Sequence, residues 1–536
     1  MDAPDARPAE EAMEARPPDA REFLTQEGHK HRRPGRLLAV FKGLVMLALL
    51  ALTAYGMLRG GLYVDELWLP VAAGVLALLF ATLFARGFYA DLPSAGTLAL
   101  AFLAALVAVK GLSMVWTISE TETIKETLRS SMYLGIFVMA LGALTSGRQV
   151  GPLVDISVLV VASVAGYGLL QKIEPAAYPV QSIDGVRVDS TLGYANTTAV
   201  IIGMGAVLAL ARMATLRNFA FRGLYAVLVL CFLASLYLTV SRGGIGSLAI
   251  GVILLFVLGG TRPQMLANGL LVALPGAWLW WRMQGLPGLL ETGIRPEEKL
   301  ADGTAFRNYL ILALLIAFAL QAGFSLLANR YELVPAARRA LGIAAVSGLV
   351  LVACAGAFVV VGNQALPGSA DKSNDIAGRL TSLDISSRGD YWRVGWEAWK
   401  ERPFTGTGAG TFQYTWLEDR PSLKGVKQVH NLYLEQGTET GLFAFLALLG
   451  FVAVLAGYTV RAIWHSTGER RLLLSGLLCA LAVYLISSAA EWHWYIPAST
   501  MFFFVLAAIA IKFASREDWG AVEADASPAN GGSPRA

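Results

Sequence analysis

The chain has five histidines, and one of them, His430, lies where a long polar segment meets a long apolar run. A neutral imidazole at such a junction can take a proton from a hydroxyl group and act as a general base. Glu435 follows on the first turns of the apolar run and is a candidate for binding a polar substrate. A lone histidine is more often structural, and the sequence leaves that alternative open.

Two arginines stand where a positive charge needs a partner or water. Arg242 lies between two apolar runs with almost no loop around it, and such a charge is costly in a membrane unless it is paired or wet. Arg388 begins a stretch in which Trp392 and Trp399 recur at helical spacing, which predicts an amphipathic helix along a membrane surface. A guanidinium group offers a fixed fork of donors that suits phosphate oxygens. Snorkelling to the headgroups is the alternative for Arg242, and an interfacial anchor is the plain role of the tryptophans.

Two further segments bring glycines or an amide to similar positions. Gly406, Gly408 and Gly410 alternate along the chain, and such a stretch can bring backbone N–H groups close to an anion. A flexible turn explains the same glycines equally well. Asn196 opens another apolar run and could orient a sugar or a phosphate, although a polar residue at a helix start is the plainer alternative.

The apolar runs that must position these residues dominate the composition. Hydrophobic residues make up 55% of the 536 residues and charged residues 15%, against roughly 25% charged in a typical soluble domain. About 20 apolar residues cross the roughly 30 Å hydrocarbon core as a helix. We therefore predict an all-α polytopic membrane protein with about fourteen transmembrane helices, with about twelve as the alternative. The predicted spans are 37–58, 67–85, 96–117, 131–147, 152–171, 193–213, 220–240, 243–260, 264–282, 308–328, 340–362, 436–460, 471–490 and 496–513.

Basic residues in the short loops orient these spans, because such loops stay on the cytoplasmic side. Arg32 and Arg33 precede the first span, and alternation keeps the pair Arg338 and Arg339 on the same side. Both termini are therefore predicted to be cytoplasmic. The predicted divisions are a disordered tail at 1–36, transmembrane helices 1–11 at 37–362, a large periplasmic loop with an amphipathic helix at 363–435, transmembrane helices 12–14 at 436–513 and a second disordered tail at 514–536.

This topology brings Asn196, Arg242, Arg388 and His430 to the same outer face. Two arginines and a histidine near the headgroups suit a lipid diphosphate that carries a polar head. The sequence of that face has no Asp-x-Asp or His/Glu cluster for a divalent metal, and arginine can supply the charge neutralisation that a metal otherwise gives. The net charge of +4 does not indicate nucleic-acid binding, and three cysteines without a Cys-x-x-Cys pattern do not predict a disulfide framework.

With its motifs in this order, the chain resembles the O-antigen ligase and polymerase family of bacterial envelope glycosyltransferases. The resemblance covers roughly 190–445 by motif. The chain departs from shorter relatives by two apparent extra spans between Arg242 and Arg388. The matching pieces are Gly193-Tyr194-Ala195-Asn196, Ser241-Arg242-Gly243, Arg388 with Trp392 through Pro403 and the alternating glycines, and His430-Asn431-x-x-Leu434 with Gly441.

The resemblance implies a membrane glycosyltransferase of the polyprenyl-phosphate-using type in the bacterial inner membrane, with no cofactor and no metal. Such proteins move a glycan from undecaprenyl diphosphate to an acceptor on the periplasmic side, and in the ligase the acceptor is a sugar of the lipid A core. His430 would activate the acceptor hydroxyl. Arg242 and Arg388 would bind the diphosphate and stabilise it as a leaving group, and the transfer would invert the anomeric centre. The expected substrate-binding residues are Tyr194, Asn196, Trp392, Gly408, Asn431 and Glu435.

Three functions remain open from the sequence. A lipid A core ligase is preferred, and a repeat-unit polymerase or a ligase that glycosylates protein shares its donor. A transporter is the third, because Lys110 and Asp155 lie in or beside predicted spans, but no internal repeat accompanies them. The acceptor and the oligomeric state are not readable from these motifs.

Overall fold

The computed structural model describes residues 35–182, 185–260, 262–328, 340 and 386–516. The regular structure of these residues is entirely helical. The α-helices are α1 (Arg36–Met57), α2 (Asp65–Phe84), α3 (Ser94–Leu112), α4 (Glu120–Ala143), α5 (Val150–Ile173), α6 (Ala195–Thr215), α7 (Phe219–Leu238), α8 (Arg242–Leu258), α9 (Arg262–Met283), α10 (Pro296–Ala328), α11 (Ser386–Glu401), α12 (Phe412–Asp419), α13 (Leu432–Trp464), α14 (Gly468–Ser487) and α15 (Pro497–Ala514).

Ten helices of the described residues are long and apolar enough to cross a membrane. The predicted class, an all-helical multi-pass membrane protein, is thus confirmed in its coarse form. The count of fourteen stays a prediction, and its span at 340–362 lies outside the described residues except for residue 340. The spans predicted at 131–147, 243–260 and 264–282 fall on helices that are not among the ten. The ten helices are α1, α2, α3, α5, α6, α7, α10, α13, α14 and α15.

Helix α15 lies at the centre of the bundle and packs against α1, α4, α13 and α14. Its apolar window is completely buried, and it carries Phe502, Phe503 and Phe504 in succession. A helix that is apolar on every side is expected to be enclosed by others, since it has no polar face to show to water. The short segment between α14 and α15 is therefore anchored by a buried helix at its end. That segment carries Glu491, Trp492 and His493.

Helix α4 begins at Glu120, well before the predicted start at 131, because its charged first turns are paired inside the protein. The Nζ of Lys110 in α3 lies 2.7 Å from Glu126 Oε1, and the Nη1 of Arg129 lies 2.5 Å from Glu126 Oε2. The indole N–H of Trp494 also donates to Glu126, at 2.7 Å. Buried charges are tolerated when they are paired and hydrogen-bonded. Lys110 is thus half of a structural ion pair.

The alternating glycines pack against a kink in α13. The backbone of Gly441 in α13 has φ 73° and ψ −170°, a conformation that is essentially restricted to glycine. The backbone groups of α13 that the kink leaves without a helical partner bond to residues 403–410, here called the glycine loop. Gly408 N–H donates to Glu439 O at 2.7 Å, and Leu442 N–H donates to Pro403 O at 2.9 Å. These bonds join the glycine loop to α13 close to the start of that helix.

Replacing Gly441 by alanine is expected to destabilise the fold. An added Cβ would lie 2.2 Å from Phe404 O, and the backbone strain alone costs roughly 1–3 kcal/mol. Gly457→Ala in the same helix is the matched control, because an added Cβ there meets no atom within 4 Å. Thermal unfolding in detergent should show a lower Tm for Gly441→Ala and an unchanged or raised Tm for the control. Equal Tm values for both variants would contradict the packing role of the kink.

Candidate functional site

The buried carboxylate of Glu491 binds side chains from the start of α6 and from α11. Tyr194 Oη donates to Glu491 Oε2 at 2.8 Å, and Asn196 Nδ2 donates to Oε1 at 2.7 Å. Arg388 of α11 donates from Nη2 to the same Oε1. Glu491 is 4% exposed, whereas the Arg388 side chain is 27% exposed and so reaches the surface of the cluster. The structure thus brings together three of the residues that the sequence singled out separately.

A further arginine, Arg187, extends this cluster. Its Nη2 donates to Asn196 Oδ1, and its Nε donates to Thr239 O at 2.7 Å. Asn196 is therefore held at both ends of its amide, between Arg187 and Glu491. Burial raises the pKa of Glu491 above its ordinary value, while the neighbouring Arg388 acts in the opposite direction. The guanidinium groups of Arg187 and Arg388 thus both lie in this cluster, and guanidinium donors suit phosphate oxygens.

The sequence reasoning missed Glu491 and Arg187. Glu491 lies in a segment of only a few residues between two apolar helices, and a carboxylate in that position is costly without a partner. That signal could have identified it. Arg187 lies in a polar loop, where no sequence feature distinguishes an arginine of the site from an ordinary surface charge.

His430 lies between two aromatic rings just before α13. Its ring centroid is 5.2 Å from that of Tyr391 and 6.1 Å from that of Trp492. Its Nδ1 lies 3.0 Å from Gln428 O, so Nδ1 carries the proton and Nε2 keeps a lone pair. Burial lowers the pKa of His430 to about 4, with Arg388 adding to the effect. The imidazole is therefore neutral near pH 7 and can accept a proton at Nε2.

The ring of Trp492 joins His430 to the Glu491 cluster. Its centroid is 4.8 Å from that of Tyr194, which is bonded to Glu491. The indole N–H of Trp392, one of the predicted substrate-binding residues, donates to His430 O at 3.3 Å and so fixes the backbone at the histidine. The general-base candidate and the arginine cluster are thus two parts of one site.

Arg242 is the first residue of α8 and is half-buried. Its N-terminal neighbour Ser241 caps the helix by accepting a bond from Gly244 N–H at 3.2 Å. On its other side, a Cβ added to Gly243 would lie 3.8 Å from the hydroxyl of Ser487, at the end of α14. The backbone that carries Arg242 therefore lies at the same end of the bundle as Glu491. Its binding role remains a prediction.

Two of the predicted substrate-binding residues, Asn431 and Gly408, have structural roles of their own, and a third, Glu435, is buried. Asn431 caps α13, because its Oδ1 accepts bonds from Tyr433 N and Leu434 N, each at 3.1 Å. Gly408 donates its N–H to α13, and a Cβ there would lie 2.1 Å from Thr117 Oγ1, so close packing explains the glycine. Glu435 is 1% exposed, and its Oε1 has no hydrogen-bond partner among the described residues.

His493 differs from His430 in that both of its ring nitrogens are engaged. Nδ1 lies 2.9 Å from Thr197 Oγ1, and Nε2 lies 2.9 Å from Ser487 Oγ. Burial lowers the pKa of His493 to about 3, so this ring is neutral as well. It has no nitrogen left to accept a proton from a substrate, and it ties α14 to α6.

Residues 226–449 match a protein-family model described as O-Antigen ligase. The matched segment contains Arg242, Arg388 and His430, whereas Tyr194 and Asn196 precede it. No curated protein matches the chain in sequence. The predicted resemblance to the O-antigen ligase family is thus confirmed over residues 226–449.

Proposed function

We propose that the protein transfers a glycan from undecaprenyl diphosphate to a sugar hydroxyl of the lipid A core, on the periplasmic face of the bacterial inner membrane. The observation that supports it most is the position of a neutral histidine, His430, beside a cluster in which Glu491 holds the partly exposed guanidinium of Arg388. Such a pair of features suits a reaction in which a hydroxyl loses a proton while a diphosphate leaves. The match of residues 226–449 to the O-antigen ligase model supports a transferase of this kind.

Arg388 and Arg242 bind the diphosphate in this proposal. Arginine presents several donors in a fixed geometry, so Arg388 can hold Glu491 with one N–H and offer others to phosphate oxygens. Glu491 thus acts as a positioning residue for Arg388. The arginines neutralise the charge that develops on the leaving diphosphate, and the proposed reaction needs no metal ion.

His430 activates the acceptor. Its Nε2 takes the proton of the acceptor hydroxyl while the oxygen attacks the anomeric carbon. The bond from that carbon to the diphosphate oxygen breaks, and the diphosphate leaves with the electron pair. Attack opposite the leaving group inverts the anomeric centre. The proton then passes from His430 to water or to the diphosphate, which restores the neutral base.

A reconstituted transfer assay tests the proposal. Purified protein in liposomes receives undecaprenyl-diphosphate-linked glycan and lipid A core, with a chelator of divalent metals present. Ladder-like glycan on lipid A core is the expected product. Growth of the glycan on its own carrier would assign the protein as a polymerase, and transfer to protein would assign it as a protein ligase. Movement of lipid-linked glycan across the bilayer without transfer would support a transporter.

Glu491→Gln is expected to weaken donor binding about tenfold to a hundredfold. Glutamine keeps the shape but loses the charge-assisted bond to Arg388, and bonds to charged groups contribute about 1.5–3 kcal/mol. The measurement is the KM for the lipid-linked donor. Glu418→Gln on the exposed face of α12 is the control and should leave this KM unchanged. An unaltered donor KM in Glu491→Gln would remove Glu491 from the site.

A further inference from the structure

An apolar groove of about 380 Å³ runs between α7 and α9. From α7 it is lined by Leu230, Leu233, Ala234 and Tyr237, which follow the i, i+3, i+4, i+7 spacing of a single helix face. This stripe extends over two turns, or about 10 Å along the helix. Leu233 is 37% exposed, so the groove opens to the surface of the bundle, which in the membrane faces lipid. Of the described residues that line the groove, none carries a charge, so it suits a hydrocarbon chain.

Small residues make the α9 side of the groove concave. Ala273, Gly276 and Ala277 line it together with Trp280, at the same helical spacing as the residues of α7. An added Cβ at Gly276 would lie 3.3 Å from Leu230 Cδ1, so the space between the two helices depends on this glycine. Small side chains on neighbouring turns leave recesses roughly 5–6 Å apart. A straight acyl chain has no groups to fill such recesses, whereas a polyisoprenoid carries a methyl branch at every fourth chain carbon.

The groove ends next to the arginine cluster. Tyr237 is the residue of α7 at this end, and Gln284 Nε2 donates to Tyr237 Oη at 3.0 Å, which ties the end of α9 to α7. Just beyond it, Thr239 O accepts a bond from Arg187 Nε at 2.7 Å. Arg242 follows five residues after Tyr237, so their Cα atoms lie within about 18 Å even for a fully extended chain. The groove therefore begins where the proposed function places the diphosphate.

Two physical effects determine which lipid chain occupies the groove. Bulk lipid is as apolar as the groove itself, so packing contacts rather than the hydrophobic effect discriminate between chains. The recesses on α9 thus favour a branched chain. In addition, a tail whose diphosphate is held at the arginines is tethered beside the groove, and tethering raises its effective concentration there. A phospholipid has neither the branches nor a diphosphate anchor.

We propose that the groove between α7 and α9 binds the isoprenoid tail of the lipid carrier, in the part of the tail next to the diphosphate. The inference rests on the proposed function, which supplies a polyisoprenoid diphosphate, and it assigns the site of the tail. It also gives a role to α9, which lies between Arg242 and Arg388, where the chain departs from shorter relatives. A tail held along α7 restricts the positions that the diphosphate can take at the arginine cluster.

Photo-crosslinking tests this site without relying on turnover. The benzophenone amino acid p-benzoylphenylalanine replaces Trp280 in one variant and Trp281 in another. Trp281 is the matched control, because it is the next residue, is 61% exposed against 51% for Trp280, and is not part of the groove lining. The full chain is placed in liposomes of phosphatidylethanolamine and phosphatidylglycerol with a small fraction of undecaprenyl diphosphate. After illumination, mass spectrometry measures the undecaprenyl and phospholipid adducts at each position.

The ratio of undecaprenyl to phospholipid adducts is expected to be roughly fivefold or more higher at position 280 than at position 281, because only the former lines the groove. Equal ratios at the two positions would show that ordinary membrane lipid fills the groove and would overturn the proposal.

A substitution that fills the groove is the second test. Gly276→Leu, combined with the crosslinker at position 280, is expected to lower the yield of undecaprenyl adduct roughly fivefold, because the added side chain meets Leu230 and displaces the tail. Gly269→Leu in the same helix is the control, since an added Cβ there meets no atom within 4 Å. An unchanged yield in Gly276→Leu, or equal losses in both variants, would also contradict the proposed site.

Transfer by the unmodified protein is measured in parallel, so that the two proposals can fail separately. A preference for undecaprenyl adducts at position 280 without any transfer would sink the transfer function but keep the isoprenoid site. Transfer without that preference would sink the isoprenoid site but keep the function.

Discussion

His430→Ala is expected to lower the rate of transfer about a hundredfold to ten-thousandfold while the binding of the lipid-linked donor stays unchanged. That range is typical for the loss of a general base. Binding of the donor should persist because Arg388 and Glu491 remain paired on the far side of Trp492. The measurement combines kcat for transfer with equilibrium binding of the donor to the same preparation. A kcat that stays within about threefold of the wild-type value would show that His430 is not the base, because loss of a general base lowers the rate far more.

Two controls separate chemistry from folding in this experiment. His430→Gln keeps a polar side chain between Tyr391 and Trp492 and should be as inactive as the alanine variant, because an amide nitrogen accepts no proton at neutral pH. His465→Ala changes an exposed histidine at the opposite end of α13 and should leave transfer unaltered. His430 also has φ 59°, an uncommon value outside glycine, so the local backbone must be checked by thermal unfolding of each variant.

The pH dependence of transfer should reflect the same base. In the free protein the pKa of His430 is lowered to about 4, so the base is neutral above that pH and is lost as the pH falls through it. The plot of kcat/KM should therefore be flat from about pH 7 down to about 5 and fall below that. A bound diphosphate brings negative charge near the imidazole and raises its pKa, so kcat should fall at a higher pH than kcat/KM. Identical profiles for kcat and kcat/KM would contradict the placement of the diphosphate beside His430.

The sequence predicted the helical membrane class because long apolar runs have a single stable solution in lipid, in which each backbone group is bonded within its own helix. It misjudged where α4, α10 and α13 begin. Hydropathy marks only the apolar part of a helix, whereas charged turns such as those of α4 remain helical when Lys110 and Arg129 neutralise Glu126 inside the protein. That pairing joins residues from two helices and leaves no local pattern in the sequence.

The sequence placed the candidate site residues on one membrane face but did not predict the contacts among them. Asn196 could be singled out because it opens an apolar run, and Arg388 because it begins a stretch with tryptophans at helical spacing. Their shared partner, Glu491, is 103 residues from Arg388 along the chain, and only the packing of α15 fixes it there. Gly408 shows the opposite case: its spacing suggested an anion loop, whereas its bond to α13 and the lack of room for a Cβ beside Thr117 explain the glycine through packing.

Arg388→Lys is expected to reduce kcat/KM for the donor by at least about tenfold, although the positive charge is kept. A lysine ammonium has three donors at one point, whereas the guanidinium can hold Glu491 and phosphate oxygens in different directions at once. Arg393→Lys on the same helix is the control, since its side chain is 57% exposed and only 3.6 Å from Asp390, a surface pair of little energy. The steady-state kinetics of both variants decide between two roles for Arg388. If Arg388→Lys retains full activity, the residue supplies a charge alone, and Glu491 then serves to neutralise it. If Arg388→Lys loses activity and Arg393→Lys keeps it, position 388 needs a side chain that donates in two directions at once. Glu491 is then the group that orients this side chain.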